Sequence, residues 1–162
     1  MITVRKVSPT DTDALWAIFH PIVSAGETYA YAPDMDRSGF VSLWIDASRA
    51  TYVATDDDHG VLGTYFIRPN QPGLGDHICN AGFMVAPNAQ GKGVGRTLGE
   101  HALETAKALG FLAMQFNYVV SANKHAVRLW ENLGFAIVGT VPRAFRHAKD
   151  GLTDVHIMYR DL

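Results

Sequence analysis

The chain of 162 residues holds a single cysteine, Cys79. No disulfide can form within it, and a reducing compartment is expected. No apolar run reaches the length needed to span a bilayer. The first residues, Met1-Ile2-Thr3-Val4-Arg5, contain no signal-peptide core. A soluble, cytoplasmic protein is therefore expected. The net charge is only −2, so no basic field favours nucleic acid or an acidic membrane as partner. Seven histidines occur without H-x-x-x-H spacing or a Cys/His cluster, which argues against a metal site. Internal repeats and low-complexity tracts are missing. What remains is ordinary globular composition, 48% hydrophobic and 19% charged. Residues 1–162 are expected to form one domain with a core that needs no staples.

Periodicity divides the chain into alternating elements. Residues 2–7 alternate as a strand, and Ala14, Leu15, Ile18 and Phe19 recur at helical spacing behind Ser8 and Thr10 as candidate caps. Pro21 is expected to end or kink that helix, and residues 20–35 read as a loop or broken helix. A second helix opens at Asp36 or Ser38 and carries Phe40, Leu43 and Trp44 on one face. Thr51–Thr55 and Val61–Arg68 form a hairpin around Asp56-Asp57-Asp58-His59-Gly60, read as a solvated tip. Residues 69–75 are an exposed loop without regular structure. His77 to Val85 is the next strand. Val94, Leu98, Ala102, Ala106 and Leu109 make one helical stripe, stopped by Gly110. Leu112 to Val119 reads as a strand buried on both faces. Asn123 caps a helix containing Leu129 and Trp130. Phe135–Val141 and Thr153–Arg160 are the last strands, joined by a basic loop from Arg143 to Lys149. The order β-α-α-β-β-β-α-β-α-β-β predicts an α/β fold, a mixed sheet with helices on both faces and one parallel, right-handed crossover between His77 and Val119.

The stretch most informative about function is Val85-Ala-Pro-Asn-Ala-Gln-Gly-Lys-Gly-Val-Gly95, a glycine-rich turn between a strand and a helix N-terminus. Unpaired N–H groups and the positive end of the helix suit an anionic phosphate, and Lys92 and Arg96 add charge. Two common phosphate loops are excluded. Ala86 stands where the first glycine of G-x-x-x-x-G-K-[ST] belongs, and Gly93 follows Lys92 where Ser or Thr is required. Leu98 stands where G-x-G-x-x-G needs its last glycine.

Gln90 to Gly95 matches Q-x-x-G-x-G, with Val-x-Pro ahead of it, and Asn123-x-x-Ala126-x-x-Leu129-Trp130-Glu131-x-Leu133-Gly134-Phe135 is similar to N-x-x-A-x-x-L-Y-E-x-x-G-F. On these two blocks and the element order, the chain resembles the GCN5-related N-acetyltransferases over nearly its full length. The resemblance implies acetyl-CoA as cosubstrate and direct attack of an amine on its thioester. It also implies splayed parallel strands, His77–Val85 and Leu112–Val119, that receive the pantetheine arm at Phe83, Met84 and Val85. Gln90, Gly91, Lys92, Gly93, Val94, Gly95 and Arg96 would hold the pyrophosphate, and Asn123, Val127 and Trp130 would face the coenzyme from the far side. The Phe83 N–H would meet the thioester oxygen, with a bulge at Gly82 turning it outward.

Short words extend the likeness. Cys79-Asn80-Ala81-Gly82-Phe83, Phe116-Asn117 and Glu27-Thr28-Tyr29-Ala30-Tyr31 look like the fungal proline-analogue (L-azetidine-2-carboxylate) N-acetyltransferases. That likeness implies an amino acid or toxic analogue as acceptor, with Asn80 and Asn117 as catalytic and substrate-binding groups and Glu27, Tyr29 and Tyr31 as acceptor wall. A peptide or protein acceptor and a non-catalytic acyl-CoA-binding module are the alternatives, and a homodimer is left open. Asparagines are not bases, so proton removal would run through water, Glu27 or His77. Trp130 replaces the family's usual Tyr and cannot donate a proton at ordinary pH. Tyr118, water, or an unprotonated thiolate would serve instead. His77 and Cys79 share a strand face, but a buried structural Cys is the simpler reading. The basic residues Arg143, Arg146, His147 and Lys149 either decorate the surface or border an acceptor pocket.

Overall fold

The computed structural model describes residues 1–58 and 60–162. Among these residues seven strands form one mixed sheet in the order β1-β2-β3-β4-β5-β7-β6. They are β1 Thr3–Lys6, β2 Ala50–Asp56, β3 Gly60–Pro69, β4 Ile78–Val85, β5 Ala113–Val120, β6 Ala136–His147 and β7 Gly151–Asp161. The α-helices among the described residues are α1 Thr12–Ala25, α2 Arg37–Phe40, α3 Val94–Ala108 and α4 Lys124–Asn132. The expected element order therefore holds. The hairpin tip at residue 59 lies outside the described residues.

Adjacent side chains on β3 show how the helices flank the sheet. The Tyr65 hydroxyl bonds His101 Nδ1 on α3 at 2.7 Å, whereas Phe66 packs edge-on against Trp44 at 4.8 Å. Successive strand residues point to opposite faces, so α3 covers one face and the α1–α2 region the other. Leu15, Phe19, Phe40 and Trp44 are buried on the second face. Val94, Leu98, Ala102 and Ala106 of α3, four of the five residues of the predicted stripe, are buried on the first, and Leu109 is half-buried at the helix end.

Several boundaries differ from expectation. The first helix runs through Pro21 to Ala25 and is closed by Gly26 at φ +65°. The second helix is one α turn, capped by Asp36 accepting from the Gly39 N–H at 2.7 Å, and it widens into a π turn over Val41–Asp46. The loop before β4 contains one 3₁₀ turn, Gly73–Gly75. β6 extends to His147, so the basic stretch is mostly strand and only a tight turn remains before β7. β5 is buried on both faces at its two ends, Ala113 with Met114 and Val119 with Val120, but not through its middle. Its register with β7 shifts between Phe116 and Val119, and Asn117 and Tyr118 are exposed there.

β4 and β5 pair in parallel only at Ile78↔Ala113 and Cys79↔Met114. Beyond that point both strands continue without a shared ladder, and the sheet opens. No bulge occurs at Gly82, because the β3–β4 register runs unbroken through Phe66↔Gly82 and Tyr65↔Phe83. Glycine is needed there for space instead: a Cβ at Gly82 would lie 2.4 Å from Phe66 Cε1.

Candidate functional site

The opening between β4 and β5 forms a cavity of about 1220 Å³. At its head, where the ladder stops, Asn80 Nδ2 donates to the Gln115 C=O at 2.9 Å. A side chain thus takes over from the missing backbone pairing. Further along, Phe83 presents both backbone groups to the gap. Its N–H donates to the Tyr29 hydroxyl oxygen at 2.9 Å, and the same hydroxyl donates to its C=O. Strand alternation assigns Val85 to the same side, while Ala86 N–H donates to the Leu62 C=O on the other. By that alternation Met84 turns its backbone toward β3, and its side chain is buried. Phe83 and Val85 open their backbone to the cleft, whereas Met84 lines the cavity with its backbone turned toward β3.

At the far end the cavity meets the start of α3. Gly91 and Gly93 adopt φ +77° and +80°, which a side chain would strain, and Gly93 is the N-cap with no side chain capping it. The first intrahelical bond beyond this turn is Thr97 N–H to the Gly93 C=O at 3.0 Å. The preceding N–H groups of the helix have no intrahelical acceptor and face the cavity with Gln90, Gly91, Gly95 and Arg96. Arg96 is already paired with Glu100 at 2.8 Å. Asn123, Ala126 and Trp130 line the opposite wall at successive helical turns. Asn123 Oδ1 also caps α4, accepting from Ala126 N–H at 3.3 Å. Lys92 and Val127, both expected at the coenzyme, lie outside the lining; Val127 is rotated about 100° from Ala126 and packs toward the core.

The acceptor end is walled by rings. Tyr29 stacks on Tyr31 at 5.4 Å, and Trp130 lies 4.7 Å from both Phe83 and Phe116. Burial raises the pKa of both Tyr29 and Tyr31. Asn117 lines the cavity but is already engaged: Gln115 Nε2 donates to its Oδ1 at 3.0 Å, and its Nδ2 donates to Asn70 Oδ1 at 2.6 Å. Asn70 and Gln115 were not singled out in the sequence. Gln115 was detectable, since it shares a strand face with Asn117; Asn70 sits in a loop whose approach no spacing rule gives.

Glu27 lies at the mouth and pairs with Lys149 at 2.6 Å. That hydrogen bond and charge hold its carboxyl below the usual range, so it is a weak base. His77 is exposed and does not line the cavity. Cys79 is fully buried, and burial pushes its thiol up to about 12. The pair therefore cannot act as nucleophile and base, and the structural reading of Cys79 stands. The Tyr118 hydroxyl is committed to the Ala144 C=O at 2.5 Å.

Residues 13–135 match the Acetyltransferase (GNAT) family. A GCN5-related N-acetyltransferase from Kribbella flavida is 46% identical and superposes with a TM-score of 0.95 over 99% of this chain and 98% of that one. N-acetyltransferase aca1 of Schizosaccharomyces pombe is 41% identical over 98 residues, 60% of this chain and 47% of aca1. The chain spans less than half the length of the curated relatives it matches first, 47%, 13% and 40% of them. A phosphinothricin acetyltransferase from Sinorhizobium meliloti, solved in complex with AcCoA, shares the fold at a TM-score of 0.87 and 21% identity, covering 99% of this chain and 88% of that one. Among the described residues no helix is long and apolar enough to cross a membrane.

Proposed function

The chain belongs to the GNAT acetyltransferase family, and from that premise we propose that it is an acetyl-CoA-dependent N-acetyltransferase acting on a small amine, an amino acid or an amino-acid analogue. The observation that carries this reading is the continuity of one cleft from a glycine-rich helix N-terminus to a pair of amides between parted parallel strands. The residues fit the donor. The helix-start N–H groups and the glycine backbone at 91 and 93 suit a pyrophosphate. The opened edge of β4 suits an amide-bearing arm, which would pair with Val85 as an added strand. When bound, acetyl-CoA supplies an acyl carbon activated as a thioester.

The chain's own residues do the rest. Asn80 and Asn117 orient the acceptor, with the Asn80 Oδ1 free to accept from its amine. The ring walls of Tyr29, Tyr31 and Trp130 exclude bulk water and limit the acceptor's size, which favours a small molecule over a folded protein. Neither asparagine is a base, Glu27 is held as an ion pair, and the Trp130 indole has no acidic proton. Protons therefore enter and leave through water at the mouth of the cleft.

The cradle is tested by Gly93→Asp. A Cβ at this position would meet nothing within 4 Å, so the variant should fold, at the cost of strain at φ +80°. The added carboxylate should weaken acetyl-CoA binding by at least about a hundredfold, since a favourable anion site becomes repulsive. A folded variant with undiminished affinity by calorimetry would remove the pyrophosphate from this turn.

A further inference from the structure

The contact between Tyr29 and Phe83 has a property that simple packing does not require. One hydroxyl satisfies both backbone groups of one strand residue. It does so where β4 has lost its neighbour and would otherwise leave the pair unbonded. The ring is stacked on Tyr31 within the cleft wall and lies edge-on to Trp44 behind it at 6.1 Å. The segment carrying it is tied at Gly26, whose C=O accepts from the Ala148 N–H at 3.0 Å.

An oxygen 2.9 Å from the Phe83 nitrogen stands where any carbonyl oxygen accepting from that N–H would stand. Two oxygens cannot both take that one donor at full strength. We propose that Tyr29 is a positioning residue: its hydroxyl keeps the place of the thioester oxygen in the free protein and is exchanged for it when acetyl-CoA binds. This rests on the acetyl-transfer reading above. The exchange keeps the Phe83 N–H aimed and desolvated before the donor arrives. It also moves the Tyr29 ring, which is part of the acceptor wall, so the acceptor pocket takes its final shape only after the donor is in place.

The test is Tyr29→Phe, with dissociation constants for acetyl-CoA and for CoA measured by calorimetry. CoA has the same arm and pyrophosphate but no acyl oxygen. Losing the hydroxyl leaves Phe83 unsatisfied in the free protein and does not alter what the thioester oxygen meets. Acetyl-CoA should bind about fivefold more tightly, the scale of one net hydrogen bond, and CoA less than about twofold more tightly. Unchanged or weakened acetyl-CoA binding, or equal gains for both, overturns the exchange. Failure of the unaltered protein to bind either coenzyme is a different result and removes the acetyl-transfer reading itself, and the exchange with it. The unaltered protein gives a second readout that needs no variant. Its Phe83 amide resonance and Tyr29 ring resonances should shift on adding acetyl-CoA and much less on adding CoA; equal shifts count against the proposal.

Discussion

Asn117 reaches the cleft as the middle of an amide relay, with Gln115 donating to it and Asn70 accepting from it. The relay fixes its orientation at an exposed site, where a lone amide would sample several rotamers. Asn117→Ala should raise the acceptor KM by about tenfold and leave acetyl-CoA affinity unchanged, as expected for a lost contact on one substrate only. Steady-state kinetics on both substrates checks this, and unaltered constants would make the residue merely structural. Asp11, far from the cleft, carries a different kind of weight. It takes a bidentate pair from Arg5 at 2.8 Å and the Ser8 N–H at 2.7 Å. The Arg5 hydrogen bonds lead in holding its carboxyl down at about 2. A lowered folded-state value means stability that is present above the unfolded carboxyl's ordinary pKa and lost as pH falls through about 2. Asp11→Asn should therefore cost about 1–2 kcal/mol at neutral pH, with the difference closing toward pH 2, as followed by thermal denaturation.

Among the elements, β4 organises the cleft, and its tolerance to change is set by what lies across it. Gly82→Ala puts a methyl group into the Phe66 ring, which itself lies under the Arg68 guanidinium at 3.9 Å and against Trp44. With no room on that face, the variant should lose about 1–3 kcal/mol, read from denaturant unfolding. A neutral effect would show that Phe66 can swing away. The sequence pointed to Gly82 as special but to a bulge as the reason; a ring stacked across from the neighbouring strand leaves no periodic trace. The α3 start was fully readable, because glycines at alternate positions before an amphipathic stripe have few other uses. So was Asn123, whose cap bond lies three residues ahead in sequence. By contrast, the Tyr29–Phe83 contact joins residues 54 apart through an irregular segment. No pattern of spacing predicts where such a segment folds back. For the same reason Asn70, and the pairing of Lys149 with Glu27, emerged only in three dimensions.

Across the whole molecule, the sheet serves as a frame that is complete on both sides and open in the middle. β1 to β4 pair in turn on one side, with one register shift at Ala54/Thr55, and β5, β7 and β6 pair on the other, with shifts in β5 and β6. Among the described residues the strand pairing between the two halves is the short β4–β5 ladder, supplemented by the Asn80–Gln115 and Asn117–Asn70 bonds. The halves are rejoined over the mouth by the Ala148–Gly26 bond and the Glu27–Lys149 pair. Element order and parallel crossover were legible from hydrophobic period alone, since each strand and helix announces its own buried face. The extent of the opening was not, because it depends on which backbone groups lose partners. An open sheet filled by one elongated donor at one end and a small acceptor at the other is the arrangement proposed for acetyl transfer. Its most direct test is to mix the purified protein with acetyl-CoA and a panel of amino acids, cyclic analogues and peptides, and to follow free thiol. Thiol release that depends on both protein and a small amine, and that falls sharply in Gly93→Asp, is the predicted result. Acetyl-CoA binding with no thiol released on any amine, or no binding at all, would contradict it.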